Sequence, residues 1–181
     1  MAGTPPISTG SGLVNPSPEA GSVRALVFTD VVGSTKLKQV LGDREGTLRI
    51  LQHHAEARVL LREVGQGREV STAGDGMFLW FETPALALKF ALLLQRRLRQ
   101  LWPGEPASRR LRDRVGIHFG PVEPALAPDG TEDLLGLEVD RTSRVMSLAY
   151  ADQILLTRAA FDRARQAWTE SQGRGLEPLS W

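Results

Sequence analysis

The stretch that most constrains the fold is a ten-residue run, Leu26-Val-Phe-Thr-Asp-Val-Val-Gly-Ser-Thr35, in which an apolar segment leads into an acid and a glycine-bearing turn. Val23 to Phe28 is short, apolar and rich in β-branched residues, which predicts a buried strand. We expect Asp30 where that strand ends, with Gly33-Ser34-Thr35 forming a turn before a helix. An aspartate there can hold a divalent metal, and amides at a helix start suit phosphate oxygens. The alternative, that Asp30 only caps the helix, fits this stretch equally well.

The pattern of a second segment, Glu69 to Phe81, predicts a strand, a tight turn and another strand. Gly74-Asp75-Gly76 is a hairpin signal with apolar residues after it. Taken alone, Asp75 is an ordinary turn residue. Together, Asp30 and Asp75 are predicted to lie at the tips of adjacent strands and to share metal ions, an arrangement that recurs in phosphoryl chemistry.

Four blocks of sequence carry a resemblance to a known family. They are Phe28-Thr-Asp-Val-Val-Gly-Ser-Thr35, Thr72-Ala-Gly-Asp-Gly76, Val115-Gly-Ile-His-Phe-Gly120, and Gly136-Leu-Glu-Val-Asp-Arg-Thr-Ser-Arg144 followed by Gln153-Ile-Leu-Leu-Thr157. In their order and approximate spacing, the chain resembles the catalytic domain of class III nucleotidyl cyclases, the adenylate and guanylate cyclases. The resemblance covers about residues 23 to 160, and it favours the fold more strongly than it favours activity.

The remaining pattern predicts an α+β fold. Interleaved strands and helices indicate a mixed sheet with helices packed on it, and the resemblance implies a ferredoxin-like βαββαβ core with a mixed or antiparallel sheet. With 181 residues, 41% of them hydrophobic, one domain with a full core is expected. We place that catalytic domain at residues 22–181. Residues 1–21, rich in Gly, Pro, Ser and Thr, are predicted to be a disordered tail.

Two helices have clear signals. Thr83-Pro84 marks the start of a helix that runs to about Leu101. Residues 44–64 are predicted to be helical, with the inward stripe formed by Leu48, Leu51, Ala55, Val59 and Leu60. His53 and His54 also lie on that helix. Because adjacent residues point to different faces, a shared metal is disfavoured and we expect solvated or cleft-lining histidines; His118, within a strand, is expected in the core or at an interface.

Composition excludes several classes of function. A formal net charge of +1 argues against a chain-wide grip on nucleic acid, and the arginines between residues 96 and 114 are interpreted as solvated cations near a helix end. No apolar run reaches the roughly 20 residues of a membrane span. The absence of cysteine excludes disulfides and cysteine-based zinc sites, and a cytoplasmic location is the default.

The resemblance also implies a reaction and a set of site residues. The ribose 3′-hydroxyl of a nucleoside triphosphate attacks the α-phosphate and pyrophosphate leaves, with two Mg²⁺ or Mn²⁺ ions lowering the hydroxyl pKa and neutralising the triphosphate. The residues implied on one chain are Asp30 and Asp75 for both ions, assisted by the Val31 carbonyl, and the amides of Val32, Gly33, Ser34 and Thr35 for the phosphates.

A second chain is expected to complete the site, because the resemblance implies a head-to-tail homodimer. From that chain, Arg144 would stabilise charge in the transition state, with Asp140 near the ribose. Asp133 stands seven residues before Asp140 and, as an acceptor for the amine of adenine, favours ATP over GTP.

Three departures from the family pattern leave alternatives open. Ser71 stands where a lysine usually reads adenine, so guanylate or pyrimidine-nucleotide cyclase activity stays open. Asp140 replaces the usual asparagine or histidine, and should slow the reaction unless it is protonated or paired, for example with Arg141. The terminal hairpin with its phosphate-binding Lys or Arg is expected to be lacking. The last two departures motivate a second hypothesis, a weakly active or inactive cyclase-like module that binds nucleotide or dimerises to regulate an attached domain.

A polymerase palm and a P-loop NTPase are disfavoured, because neither a template surface nor a Walker loop is present in the sequence.

Overall fold

A computed structural model describes residues 22–126 and 132–169, together with residues 173, 176 and 179. The predicted tail, residues 127–131 and most of the sequence after residue 169 therefore lie outside the described residues. The strands are β1 (Ser22–Val31), β2 (Gly67–Ala73), β3 (Gly76–Phe81), β4 (Asp113–Leu126), β5 (Glu132–Leu135) and β6 (Ile154–Leu156). The helices are α1 (Ser34–Leu41), α2 (Asp43–Val64), α3 (Pro84–Leu101), α4 (Leu137–Ser147) and α5 (Arg158–Ala167), with a 3₁₀ turn at Ala107–Arg109.

The strands form a single sheet in the order β2-β3-β1-β4-β5, and β6 pairs with β4. All pairings are antiparallel except β4 with β6, which is parallel. The first four strands, with helices after β1 and β3, make the βαββαβ core. The predicted α+β class with a mixed sheet is confirmed.

Strand β1 separates two packed layers because its side chains alternate between the faces of the sheet. Ala25, Val27 and Val31 join the main core, which includes residues of α2, α3 and α5. Leu26 belongs to a smaller cluster on the opposite face, where the rings of Phe28 and Phe78 stack with centroids 4.4 Å apart. Helix α4 lies over part of that second face. The candidate site forms beside it.

The inward stripe predicted for α2 was wrong at Leu48, Leu51 and Ala55, which are exposed, whereas the helix itself and the burial of Leu60 are confirmed. Leu48 and Leu51 are 51% and 57% exposed. The buried positions of this helix are Gly46, Arg49, Ile50, His53, His54, Ala57 and Leu60. Polar residues take inward positions here because partners from distant parts of the chain reach them, as Glu105 reaches Arg49 at 2.8 Å. The expectation of solvated histidines is also wrong, because His53 and His54 are buried.

Other element predictions differ mainly at their ends. The α3 start is confirmed, with the Thr83 hydroxyl accepting from the Leu86 amide at 3.4 Å. Helix α4, which spans Leu137–Ser147, follows β5 after Gly136. His118 is buried as expected, and its ring contacts Thr157 and Glu138. No helix of residues 22–126 or 132–169 is long and apolar enough to cross a bilayer.

Candidate active site

Asp30 lies beside the hairpin turn that carries Asp75. Its strand, β1, pairs with β3 so that Thr29 stands opposite Met77, which brings the β2–β3 turn to the end of the sheet where Asp30 lies. A Cβ atom built on Gly76 would be 3.7 Å from Asp30 Oδ1. Two aspartates distant in sequence thus belong to neighbouring segments at one end of the sheet.

Arg114 is a residue of this site that sequence reasoning missed. It stands opposite Asp30 in the β1–β4 register, and its Nε and Nη2 donate to Asp30 Oδ2 at 3.0 and 2.7 Å. Its Nη1 donates to the Ser147 carbonyl at 3.2 Å. Interpreting Arg114 as a solvated cation was therefore wrong. Its position just before the Val115 block was the only signal, and the cross-strand register is not visible in a sequence.

The donor set fits a metal that arrives with a phosphate ligand. No group of three or more His, Asp or Glu side chains that could hold a metal occurs among the described residues. Mg²⁺ commonly uses one or two protein carboxylates and completes its shell with water and substrate phosphate oxygens. Asp30 Oδ1 lies beside Gly76 of the Asp75 turn, while Oδ2 is held by Arg114, so one carboxylate oxygen is not bonded to that guanidinium.

The turn after β1 presents free amides. Gly33 is the N-cap of α1 in a left-handed conformation (φ 69°) and makes no side-chain cap; glycine adopts this conformation at little cost. The first intrahelical bond runs from the Leu37 amide to the Gly33 carbonyl. The amides of residues 34–36 therefore have no intrahelical partner. The Val32 amide, in contrast, already donates to the Arg112 carbonyl at 2.9 Å.

Positive charge surrounds the same turn. A cleft of about 310 Å³ is lined by Val32, Gly33, Lys36, Leu37, Ala107, Ser108, Arg110 and Arg112. Three of these side chains are cationic, and a helix N-terminus lies among them. Cations and unpaired amides together favour a bound anion. The free amides and the cations indicate that this end of the sheet suits phosphate.

A second cleft, of about 180 Å³, lies on the open face of the sheet. Its walls include Asp30 and Ser71, and α4 contributes Ser143 and Met146. The register of β2 shifts between Glu69 and Ser71. Arg58 of α2 holds this strand by donating to both oxygens of Glu69 at 2.8 and 2.7 Å. Hydrogen bonding from Arg58 lowers the pKa of Glu69 below its ordinary value, so the pair is ionic at neutral pH.

The other predicted residues do not line that cleft. Asp140 and Arg144 are exposed, one turn apart on α4, and neither they nor Asp133 are among the described residues lining the cleft of Asp30 and Ser71. Asp133 Oδ1 accepts from the Leu134 amide at 2.8 Å. The suggested partner of Asp140 is engaged elsewhere, because Arg141 donates to both oxygens of Glu138 at 2.8 and 3.1 Å.

Comparison with known proteins identifies the family. The sequence model described as Adenylate and Guanylate cyclase catalytic domain matches residues 17–177. The adenylate cyclase of Lachancea kluyveri is 33% identical over 159 residues, covering 78% of this chain and 8% of that protein. The adenylate cyclase of Schizosaccharomyces pombe is 32% identical over 161 residues, covering 78% and 9%. The chain thus spans less than a tenth of the length of these two relatives.

Solved structures agree on the fold. A Trypanosoma brucei adenylate cyclase in its monomeric state aligns with a TM-score of 0.72 at 23% identity, covering 88% of this chain and 83% of that one. The adenylyl cyclase CyaB from P. aeruginosa aligns at 0.70 and 21% identity, covering 80% and 81%. The dimeric guanylyl cyclase domain of the RhoGC fusion protein of Blastocladiella emersonii aligns at 0.70 and 17% identity, covering 80% and 84%. Taken with the family match over residues 17–177, these similarities show that the chain belongs to the adenylate and guanylate cyclase catalytic domain family.

Proposed function

We propose that this chain is the catalytic domain of a nucleotidyl cyclase that converts a nucleoside triphosphate, with ATP favoured, to its 3′,5′-cyclic monophosphate and pyrophosphate. The observation that carries the proposal is the meeting of the Asp30 strand and the Asp75 turn beside the unpaired amides of residues 34–36. Carboxylates for cations and amides for phosphate at one end of a sheet suit a metal–triphosphate complex.

Asp30 and Asp75 are the proposed holders of two Mg²⁺ or Mn²⁺ ions, with the Val31 carbonyl assisting. When bound, the metals would supply charge neutralisation and a lowered pKa for the ribose hydroxyl. The chain itself would orient the triphosphate through the amides of Ser34 and Thr35. Gly33 allows close approach of the backbone, whereas Val32 contributes to the shape of the turn, since its amide is already bonded to Arg112.

Arg114 has a further part in this proposal. Asp30 would hold a metal while its Oδ2 accepts from the guanidinium at 2.7 Å. Arg114, whose planar fork suits bidentate hydrogen bonds to phosphate, could instead donate to the triphosphate. The same arginine would then neutralise Asp30 in the free protein and bind a phosphate in the complex.

The proposed working form is a head-to-tail homodimer. Asp140 and Arg144 are exposed on α4 and do not line the cleft that holds Asp30 and Ser71, which suits residues that complete the site of a second copy. There Arg144 would stabilise charge as the phosphate is attacked. Asp133 would accept from the base amine. We place the domain at residues 22–181 and the reaction in the cytoplasm, where nucleoside triphosphates are available.

ATP is favoured by Asp133 and by the names of both fungal relatives. Ser71 lines the cleft beside Asp30 and would face the base in this proposal. A hydroxyl can donate or accept, so it discriminates weakly. Guanylate or pyrimidine-nucleotide cyclase activity is therefore the alternative within the same reaction class.

A second candidate function is supported by Asp140. Its suggested partner Arg141 is bonded to Glu138, so a carboxylate without that cation would stand close to a bound triphosphate. Such a charge disfavours turnover. The alternative is a weakly active or inactive cyclase-like module that binds nucleotide or dimerises to regulate an attached domain.

Product analysis separates these functions. Purified protein is incubated with ATP, GTP, CTP or UTP in the presence of Mn²⁺, with an Asp30→Ala variant as control, and products are resolved by mass spectrometry. A cyclic monophosphate from one substrate, lost in the control, supports the enzyme and identifies its base. Absence of product at a concentration where the protein is dimeric would refute the enzymatic proposal and favour the regulatory module.

A further inference from the structure

Helix α2 carries two adjacent histidines that the proposed chemistry does not use. The exposed fractions of His53 and His54 are 0% and 4%, and their rings lie 5.5 Å apart at 63°. Neither His53 ring nitrogen has a hydrogen-bond partner among the described residues, nor does His54 Nε2. Buried polar atoms without partners are uncommon and destabilising. We therefore expect these two histidines to have a function that offsets their cost in stability.

His53 lies directly behind Asp30. Its Nε2 is 3.6 Å from Oδ2 of the fully buried Asp113, and the same oxygen accepts from the Thr29 hydroxyl at 3.1 Å. Thr29 and Asp113 precede Asp30 and Arg114 in sequence. Because side chains alternate along a strand, the buried contacts occupy the helix side of the sheet and the Asp30–Arg114 pair occupies the open side.

His54 lies behind the other aspartate. Burial is the main cause that lowers the pKa of His54, while a hydrogen bond with the Asp75 backbone acts in the opposite direction. A bond that favours the protonated ring is one in which the ring donates. The acceptor would then be the Asp75 carbonyl, and since Nε2 has no partner among the described residues, the donor would be Nδ1. The Asp75 turn joins the edge strand β2 to β3, and such a bond would connect it to helix α2.

We propose that His53 and His54 are positioning residues for the two metal-binding carboxylates, an inference that rests on the proposed function. His53 packs against Asp113, to which Thr29 of β1 donates, and His54 packs against the Asp75 turn. Because both belong to one helix, α2 sets the separation of the two aspartates. Residues that orient metal ligands commonly change metal affinity by about 10–100-fold when they are replaced.

The test compares two variants at each histidine, whose new side chains have similar shapes but differ in their ability to form hydrogen bonds. His54→Leu removes the donor, whereas His54→Asn keeps an amide N–H near the place of Nδ1. Likewise, His53→Met removes the group facing Asp113 and His53→Gln keeps one near the place of Nε2. Gln95→Leu is the matched control, because Gln95 is a 5% exposed α3 residue whose Nε2 also lacks a partner among the described residues.

Two readouts are measured on the whole chain. Mn²⁺ binding with 3′-deoxy-ATP, which cannot cyclise, is followed by electron paramagnetic resonance. Amide hydrogen exchange of residues 73–77 is measured without metal. We expect His54→Leu and His53→Met to weaken Mn²⁺ binding by about tenfold, with the amide-bearing variants close to wild type. Exchange at the turn should accelerate in His54→Leu but not in His54→Asn or Gln95→Leu.

Three outcomes would overturn the inference. Wild-type Mn²⁺ affinity in His54→Leu and His53→Met would show that the histidines do not act on the site. An equal loss in Gln95→Leu would show a general effect of core stability, which thermal melting of each variant would reveal. Equal binding of Mn²⁺ by wild type and Asp30→Ala would overturn the proposed metal site, and this inference with it.

Discussion

A methyl group at Gly116 tests how tightly α4 must lie against the sheet. In a Gly116→Ala variant, the new Cβ would be 2.3 Å from the Met146 nitrogen and 2.6 Å from its Cα. Both are backbone atoms, so a change of rotamer cannot relieve the clash. Ordinary contact begins near 3.4 Å, so α4 must retreat by about 1 Å or β4 must bend.

The expected cost follows from this displacement. Overpacking of this kind destabilises by about 1–3 kcal/mol. For a chain of this size each kcal/mol lowers the melting temperature by about 2–4 °C, which gives a loss of roughly 2–12 °C. Since α4 carries the proposed residues Asp140 and Arg144, a displacement of about 1 Å should also reduce kcat by about a hundredfold.

Thermal melting and steady-state turnover with Mn²⁺ and ATP measure the two effects. Gly120→Ala is the matched control, because it adds the same methyl to the same strand. There the nearest atoms belong to the side chains of His118 and Glu138, at 2.8 and 3.0 Å, which can move. A Gly116→Ala variant that melts and turns over like wild type would refute the close packing of α4; so would equal losses in the two variants.

Three further predictions concern charge. Asp140→Asn should raise kcat by about tenfold or more, because it removes a negative charge and restores an N–H donor; an unchanged rate would show that this position does not limit turnover. Ser71→Lys should shift the ratio of kcat/KM toward ATP over GTP by about tenfold, the worth of a charged hydrogen bond, and an unaltered ratio would place the base elsewhere. Arg58→Met should lower the melting temperature at neutral pH. Arg58 lowers the pKa of Glu69 in the folded protein. The stabilisation from this pair is therefore complete above the pKa that Glu69 has in the unfolded chain, and it is lost as the pH falls through the lower pKa of the folded state. The difference in melting temperature between the variant and wild type should vanish in acid, and a difference that persists there would contradict an ionic origin.

Local signals explain what the sequence alone could predict. The β1 strand, the Gly74-Asp75-Gly76 hairpin and the Thr83-Pro84 helix start each depend on a few neighbouring residues, and each is present in the structure. Asp30 and Asp75 could be predicted to lie close together because Asp30 comes at the end of the β1 signal and Asp75 lies within the hairpin signal. Their meeting at one end of the sheet then follows from the antiparallel pairing of β1 with β3.

Long-range partners explain what the sequence could not predict. The inward face of α2 was misjudged because Arg49 is buried by Glu105, 56 residues away, and His53 by Asp113. No periodicity of apolar residues reveals an inward arginine whose acid comes from another element. Arg114 was missed for the same reason, since it reaches Asp30 across 84 residues of sequence.

The Asp30–Arg114 pair also links the two halves of the proposed site. Arg114 donates to Asp30 through Nε and Nη2, while its Nη1 holds the Ser147 carbonyl at the end of α4. A cation held at the proposed site on Asp30 would share this carboxylate with Arg114, whose guanidinium is also bonded to that helix end. The proposed cation site and the position of the helix that carries Arg144 are therefore linked through one side chain. For this reason, both the metal affinity and the position of α4 should be measured in any variant of Asp30 or Arg114.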